Sequence, residues 1–247
     1  MIPIKSEKDL EMMRKAGQIL SGIMQQLQKA VRVGVTTLEL DGLAEELARK
    51  KNALPAFKGY KNFPASICAS INEEIVHGIP NERALLEGDI LSLDLGIDYG
   101  GYFADAAVTI PVGRIDARKK KLIEVTRRAL ELGIKQAKVN SHLFDISYSI
   151  QNYVEKNGFS VVRQFVGHGI GTKLHEEPEV PNFGRQHEGP VLKCGMVLAI
   201  EPMVNMGSWE SEILDNGWTA VTKDRLSSAH FEHTVAITDK GPEILTK

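Results

Sequence analysis

The chain states one pattern twice. His77-Gly-Ile79 is matched by His168-Gly-Ile170. The run Gly88-Asp-Ile-Leu-Ser-Leu-Asp94 is matched by Gly195-Met-Val-Leu-Ala-Ile-Glu201, each passing from glycine to acid in six steps with aliphatics at the same places. Asp105 then leads Ala-Ala-Val-Thr, and Glu232 leads His-Thr-Val-Ala. The order in each half is histidine, acid, acid. A single shared tripeptide is easily accidental. Three ordered matches of one chemical type point to a duplicated α/β unit with a pseudo-twofold, not to a short-period solenoid. The halves fall at about 1–113 and 114–247 and are expected to form one domain.

Strand alternation decides which side chains share a face. In the predicted strand Asp89–Leu95, Asp94 shares its side with Ser92 and Ile90, while Leu91, Leu93 and Leu95 point away. In Tyr102–Pro111, Asp105 sits with Phe103, Ala107 and Thr109. Glu201, in Met196–Val204, sits with Ala199; Glu232, in Phe231–Thr238, sits with Thr234 and Ala236. Each acid therefore has a small neighbour on its own side and aliphatics mostly behind it. If the four strands share one sheet, four carboxylates converge on a roomy polar patch. The ordinary alternative is acids paired with Lys or Arg on a solvated surface. It is weakened because none of these strands carries a Lys or Arg, and acids are depleted from buried strands unless compensated.

Four carboxylates buried together cannot all stay ionised without cations, because burial and like charges both raise their pKa. Two divalent ions carry the matching positive charge. Oxygen-rich ligands with one neutral imidazole suit Mn, Fe, Co or Zn better than a thiolate-seeking metal. Two such ions about 3.5–4 Å apart can be bridged by carboxylates. His168 is the favoured imidazole: it lies in Phe165-Val-Gly-His-Gly-Ile-Gly171, where glycines allow close backbone approach. His175 follows in Leu174-His-Glu-Glu-Pro178. His142, His187 and His230 lack such a setting and are expected on the surface; His233 is expected to face away from the Glu232 side.

The remaining features set limits. The chain has 247 residues, enough for a large core without disulfides, and its two cysteines, Cys68 and Cys194, give no disulfide framework. A formal charge of -2, from 30 basic and 32 acidic residues, gives no reason to expect nucleic acid or an anionic membrane as partner. No apolar run approaches the ~18–20 residues of a membrane span, and the N-terminus has no signal-like apolar segment, so a cytoplasmic protein is expected. Ser6 with Asp9, and Thr36 with Glu39, read as capping pairs opening helices. Leu10, Met13, Gly17, Leu20, Met24, Leu27 and Val31 mark one face of the first helix. Further helices are predicted at 117–138 and 144–156, and further strands at 65–71, 159–164 and 218–222.

The ordered set Asp94, Asp105, His168, Glu201, Glu232 resembles the ligand set of the methionine aminopeptidases. The likeness spans nearly the whole chain and takes in Cys68-Ala-Ser-Ile-Asn-Glu74, Val76-His-Gly-Ile-Pro80, Gly167-His-Gly-Ile-Gly171, His175-Glu-Glu-Pro178, Ala199-Ile-Glu-Pro202, Asp215-Asn-Gly-Trp218 and Phe231-Glu-His-Thr234. The short interval between His168 and Glu232 is similar to the type I bacterial form of peptidase family M24. The resemblance implies the pita-bread fold, an α/β (α+β) arrangement of two related halves whose antiparallel sheet is covered by helices. It implies a dinuclear centre with Asp94 on one metal, His168 and Glu201 on the other, and Asp105 and Glu232 bridging. It also allows a monovalent cation near Asn72 and Ser228.

The implied activity is hydrolysis of the initiator methionine from nascent proteins and peptides, with a small second residue preferred. A hydroxide held between the metals would attack the scissile carbonyl. Glu201 would shuttle the proton, His175 would bond the carbonyl oxygen, and His77 would contact the scissile nitrogen. Phe57, Tyr60, Phe63, Cys68 and Trp218 fall where the family lines its methionine pocket; several members have Cys or Tyr where this chain has Phe57 and Phe63. A cytoplasmic monomer meeting nascent chains at the ribosome is further implied. Two rivals share the fold. A prolidase or aminopeptidase P would carry an added N-terminal domain, for which the first helix pair leaves no room. A non-catalytic binding protein would be expected to lose ligands that are all present here.

Overall fold

The computed structural model describes residues 2–247. Ser6 and Asp9 form a reciprocal capping box from which α1 runs, Glu7–Ala30. Thr36 and Glu39 do the same for α2, Thr37–Lys50. Leu10, Met13, Gly17, Leu20, Met24 and Leu27 face inward as their spacing requires, with Ala16 and Ile23 completing the stripe; Val31 instead becomes the C-cap.

Three short strands follow, β1 (Leu54–Pro55), β2 (Cys68–Ile71) and β3 (Glu74–Val76), then a long hairpin of β4 (Ile90–Tyr99) and β5 (Tyr102–Pro111). The hairpin turns at Gly100-Gly101, whose positive φ values of 63° and 83° are those a two-residue turn between right-twisted strands needs. β5 pairs with β4 along its whole length, and β1 and β2 pair with β4 at its other edge, all antiparallel.

The second half repeats the order. α3 (Ala117–Gln136), capped by the Asp116 carboxylate, and α4 (Leu143–Lys156) come first. The strands are then β6 (Ser160–Val161), β7 (Gly167–Gly169), β8 (Glu176–Val180), β9 (Val197–Ile200), β10 (Met203–Asn205), β11 (Ser211–Ile213), β12 (Ala220–Thr222), β13 (Ser228–His230), β14 (His233–Thr238) and β15 (Gly241–Ile244). The second main sheet has the order β15-β14-β9-β7-β8, again antiparallel. Two small sheets complete the fold: β13-β10-β6, and β11-β12-β3, which ties the two halves together.

Two expectations need correction. The acid-bearing segments do not lie in one sheet: β4 and β5 belong to the first, β9 and β14 to the second. The sheets meet where β5 passes β14, and the join is a few hydrogen bonds. Glu232 N–H donates to Ala107 O at 2.9 Å, and Asp105 N–H to Thr234 Oγ1 at 2.9 Å. The Thr234 hydroxyl in turn donates to Asp105 O at 2.8 Å. Secondly, Glu201 and Glu232 sit just outside strands. The expected strand 196–204 divides into β9 and β10 around Glu201-Pro202, because proline offers no N–H to a ladder. β14 begins one residue after Glu232.

Each main sheet has a helix pair on one face. α1 and α2 pack Leu20, Ile23, Leu27 and Leu40 against Leu91, Leu93 and Leu95. α3 and α4 pack Val125, Leu130, Ile146 and Ile150 against Leu198, Ile200, Val235 and Ile237. Alternation then sends Asp94 and its partners to the face the helices do not cover. Among the described residues no helix is long and apolar enough to cross a membrane. Both cysteines are free, Cys68 buried and Cys194 exposed.

Gly17 shows how tightly α1 is seated. A Cβ there would lie 2.1 Å from the Leu245 carbonyl oxygen, a backbone atom. An ordinary helix gains about 1 kcal/mol when Gly becomes Ala. Gly17→Ala is expected to reverse that sign and destabilise by about 1–3 kcal/mol, as overpacking does. Urea denaturation of the two proteins reads the sign directly.

Candidate metal centre

The side chains singled out in the sequence come together around one cavity. Its volume is about 160 Å³, and it is lined by Phe57, Tyr60, Phe63, Cys68, His77, Asp94, Asp105, His168, His175, Glu201, Trp218 and Glu232, with Leu174 and Lys61 added. The first sheet contributes Asp94 and Asp105. Asp94 stands opposite Cys68 in the β2–β4 register, and Asp105 stands opposite Gly96 across the hairpin. Gly96 has a reason of its own, since a Cβ there would meet the Phe57 ring at 2.7 Å.

The second sheet and its connections contribute His168, Glu201 and Glu232. His168 lies between two glycines that cannot carry side chains. A Cβ on Gly167 would sit 2.3 Å from Ala199 O, and one on Gly169 would sit 2.1 Å from Glu177 O. The imidazole Nδ1–H donates to Gly169 O at 2.9 Å, which leaves Nε2 with a lone pair. That Nε2 is 3.7 Å from Glu201 Oε1. Ligand atoms of Asp105, His168 and Glu232 all lie within 4.8 Å of one another, and so do those of Glu201, His230 and Glu232.

His230 departs from expectation. It is 1% exposed, not a surface residue, and its Nε2 is 3.4 Å from Glu201 Oε2. A signal for it existed: it precedes Glu232 by two residues, the spacing that puts side chains on one side of an extended chain. His187 is exposed as expected, whereas His142 is half-buried. These two lie beside Asp145, whose carboxylate accepts the His142 and His187 backbone N–H groups. His233 is turned to Thr246, to which its Nδ1 is hydrogen-bonded at 2.9 Å.

The electrostatics of the cluster are those of a site built for cations. Burial, then Asp105 and Glu201, pushes the Asp94 carboxyl well above the usual range. Glu201 is raised by burial and by Asp105, and Glu232 by burial and all three other acids. Burial moves Asp105 up to about 7. The same burial lowers His168 to about 4, so the ring is neutral and free to ligate. Asp94 Oδ1 and Glu232 Oε1 are buried without a hydrogen-bond partner. Buried oxygens left without a partner call for an explanation. Divalent cations answer both problems: they supply the missing partners and the missing positive charge.

His77 and His175 are placed differently. His77 follows β3 in a left-handed conformation, φ 59°, which a side chain adopts only under constraint. It packs edge-on to Phe165 and Trp218, with ring centroids at 5.5 and 6.2 Å. Burial lowers its pKa to about 4. His175 Nδ1 is 2.9 Å from the Tyr60 hydroxyl, and the two rings stack at 5.1 Å. His175 is exposed as a residue, yet desolvation of its ring among these neighbours, then His168, lowers its pKa to about 3. Phe63 meets Trp218 edge-on at 5.1 Å, and both rings line the cavity.

A carboxylate cluster with a neutral imidazole, open to a pocket between two helix-backed sheets, is the equipment of a metal-dependent hydrolase of the pita-bread fold. Comparison with known proteins narrows this. Residues 11–239 match the model for metallopeptidase family M24. The chain is 55% identical over 246 residues to the methionine aminopeptidase of Clostridium perfringens, covering 100% of this chain and 99% of that one. It superposes on the crystal structure of methionine aminopeptidase from Thermotoga maritima with a TM-score of 0.99 and 47% identity, both chains covered completely. The prolidase of Pyrococcus horikoshii OT3 is 24% identical with a TM-score of 0.81; this chain spans 63% of it, and the likeness is one of fold. The chain belongs to metallopeptidase family M24, and within it to the methionine aminopeptidases.

The raised carboxyls give a signed expectation. In the cation-free cluster the raised carboxyls favour their protonated forms, while His168 is neutral with its single proton on Nδ1. Divalent cations must therefore displace carboxyl protons as they bind. Apparent affinity should fall about tenfold per pH unit for each proton displaced as pH is lowered. Calorimetric titration of metal-free protein with Mn²⁺ in buffers of different ionisation enthalpy measures the proton count. Zero release at pH 7 would contradict the electrostatics described.

Proposed function

We infer that this chain is a metalloaminopeptidase that hydrolyses the N-terminal methionine from proteins and peptides. One observation carries the reading: one small cavity is lined both by aromatic and thiol side chains and by the carboxylate–imidazole cluster. A cavity of about 150 Å³ takes a benzene-sized group. The volume of 160 Å³ found here therefore suits one side chain and no more. Phe57, Tyr60, Phe63, Cys68 and Trp218 would hold the thioether, which favours soft, polarisable and aromatic contacts.

Asp94, Asp105, His168, Glu201 and Glu232 would hold two divalent ions, from among Co, Mn, Fe and Zn. Asp94 would serve one ion, His168 and Glu201 the other, and Asp105 and Glu232 both. When bound, these ions supply Lewis acidity that polarises the scissile carbonyl and makes water nucleophilic at neutral pH. Glu201 takes the proton of the attacking water and passes it to the departing amine. With the Tyr60 O–H donating to His175 Nδ1, 2.9 Å away, the His175 proton would sit on Nε2, free to bond the oxygen on which charge develops. His175 does this as a neutral donor, as its lowered pKa requires. His77 would contact the scissile nitrogen.

We further propose that the natural substrates are nascent chains met at the ribosome in the cytoplasm, with a small residue after the methionine. The enzyme would act as a monomer, as one catalytic domain of duplicated halves 1–113 and 114–247, without nucleic acid or membrane. A monovalent cation near Asn72 and Ser228 belongs to the same reading.

Release of methionine from Met-Ala-Ser tests the core of it. Asp105→Ala, or a strong chelator, should abolish turnover, and full activity in metal-free protein would sink the proposal. Met-Ala-Ser should be cleaved much faster than Met-Lys-Ser, and an Ala-Pro dipeptide should be the poorest substrate. Faster cleavage of Ala-Pro would reassign the enzyme to the prolidase side of the family. Tyr60→Phe should lower kcat more than it raises KM, by about 10²-fold or less, since it removes the group that fixes a transition-state donor. An unchanged kcat would remove Tyr60 from the mechanism.

A further inference from the structure

His230 is a buried imidazole held on a rigid frame. Its backbone N–H donates to Thr109 Oγ1 at 2.8 Å, and its backbone carbonyl accepts from the same hydroxyl at 2.9 Å. Thr109 is itself bonded to Ser92 Oγ at 2.8 Å, so the first sheet clamps this residue of the second half. Across β13–β10 it is paired with Met203. The ring has little freedom, yet neither of its nitrogens has a hydrogen-bond partner. Buried polar atoms rarely stay so, and leaving them unpaired is costly.

The nearest answer is Glu201, whose two carboxylate oxygens face different imidazoles. Oε1 is 3.7 Å from His168 Nε2, and Oε2 is 3.4 Å from His230 Nε2. The two contacts differ chemically. The His168 proton is committed on Nδ1 to Gly169 O, so its Nε2 presents a lone pair to Oε1. Two lone pairs facing one another need a cation between them. No such commitment binds the His230 proton, which is free to sit on Nε2, 3.4 Å from Oε2, a contact that a small shift of the carboxylate would turn into a hydrogen bond. A ligating carboxylate is commonly held by a hydrogen bond to its outer oxygen.

We propose that His230 is a positioning residue whose Nε2–H donates to Glu201 Oε2, so that Oε1 and the His168 lone pair are aimed together at one divalent ion. The assignment rests on the reading of Glu201 and His168 as ligands. It gives the two Glu201 oxygens separate tasks. It also explains why an imidazole is buried two residues before Glu232 without being required for charge balance. The same donor would hold the carboxylate in place while it handles a proton.

Two measurements test this, neither relying on turnover. The first uses the metal-loaded wild-type protein with ¹⁵N-labelled histidine, the His230 signals being assigned by their loss in His230→Gln. The protonated nitrogen of His230 is expected to be Nε2. A proton on Nδ1 with Nε2 bare would overturn the proposal and make His230 a metal ligand. The second is calorimetric titration of metal-free protein with Mn²⁺. His230→Leu should weaken one binding step about 10–100-fold, while His230→Gln, whose amide can still donate, should stay within a few-fold of wild type. Glu201→Ala separates the two layers of the argument. If it leaves affinity unchanged, the ligand reading itself fails. If it weakens binding while His230→Leu matches wild type, only the role of His230 fails. Should His230→Leu not fold, the tautomer in the wild-type protein decides.

Discussion

Four carboxylates share one buried patch, and the structure is organised by the need to keep them there. In a low-dielectric site each acid raises the pKa of the others on top of the penalty of burial. Burial raises all four, and the neighbouring acids add to it at Asp94, Glu201 and Glu232. Left alone, such a cluster would protonate or open to water. It persists because the scaffold is assembled on the other side of both sheets, where Leu91, Leu93, Leu95, Leu198 and Ile200 meet the helices. Packing there holds the backbone, and the backbone holds the acids, whatever their charge state.

Doubling the unit solves a geometric problem. A single sheet with two acids can present one edge of a metal pair. Two sheets meeting along β5 and β14 can present ligands from opposite sides. The join has few hydrogen bonds, and two threonines carry much of it. Thr234 brackets the Asp105 backbone with its hydroxyl, and Thr109 brackets the His230 backbone with its own. Each hydroxyl reaches from one half into the other. The contacts that join the halves are thus the ones that fix the register between Asp105 and the second-half residues, which is why a site residue and a structural hydroxyl lie side by side.

Much of this could be read from the sequence because local rules govern it. Both capping boxes, the inward face of α1, and the strand Tyr102–Pro111 follow from spacing and residue type, and the structure has them where spacing puts them. The aliphatic–acid alternation around Asp94 placed that side chain on the uncovered face. Sheet membership did not follow, because alternation defines faces but not partners. The four acid-bearing segments therefore divide between two sheets, with Glu201 and Glu232 at breaks, not within ladders. His230 was misread for a related reason. Its neighbours Ala229 and Phe231 carry no glycine or acid, and its burial comes from β10 and Thr109, which are distant in sequence. Leu174 and Lys61 line the cavity for the same kind of reason: each is brought there by the fold, not by its neighbours in sequence.

The shape of the cavity also bears on why such an enzyme would work only at chain ends. Phe63, Trp218 and the acids line one cavity with room for a single side chain. A residue inside a polypeptide would need a path for the chain on both sides of it, and the carboxylates would then be left facing an uncharged amide. A terminal residue needs only one exit and brings an α-amine, a group suited to a site of acids and bound cations. On this reading the charge cluster that makes the site hard to build also selects the substrate. The groups proposed to gather cations would also recognise the chain terminus, so end-recognition would require no separate binding module.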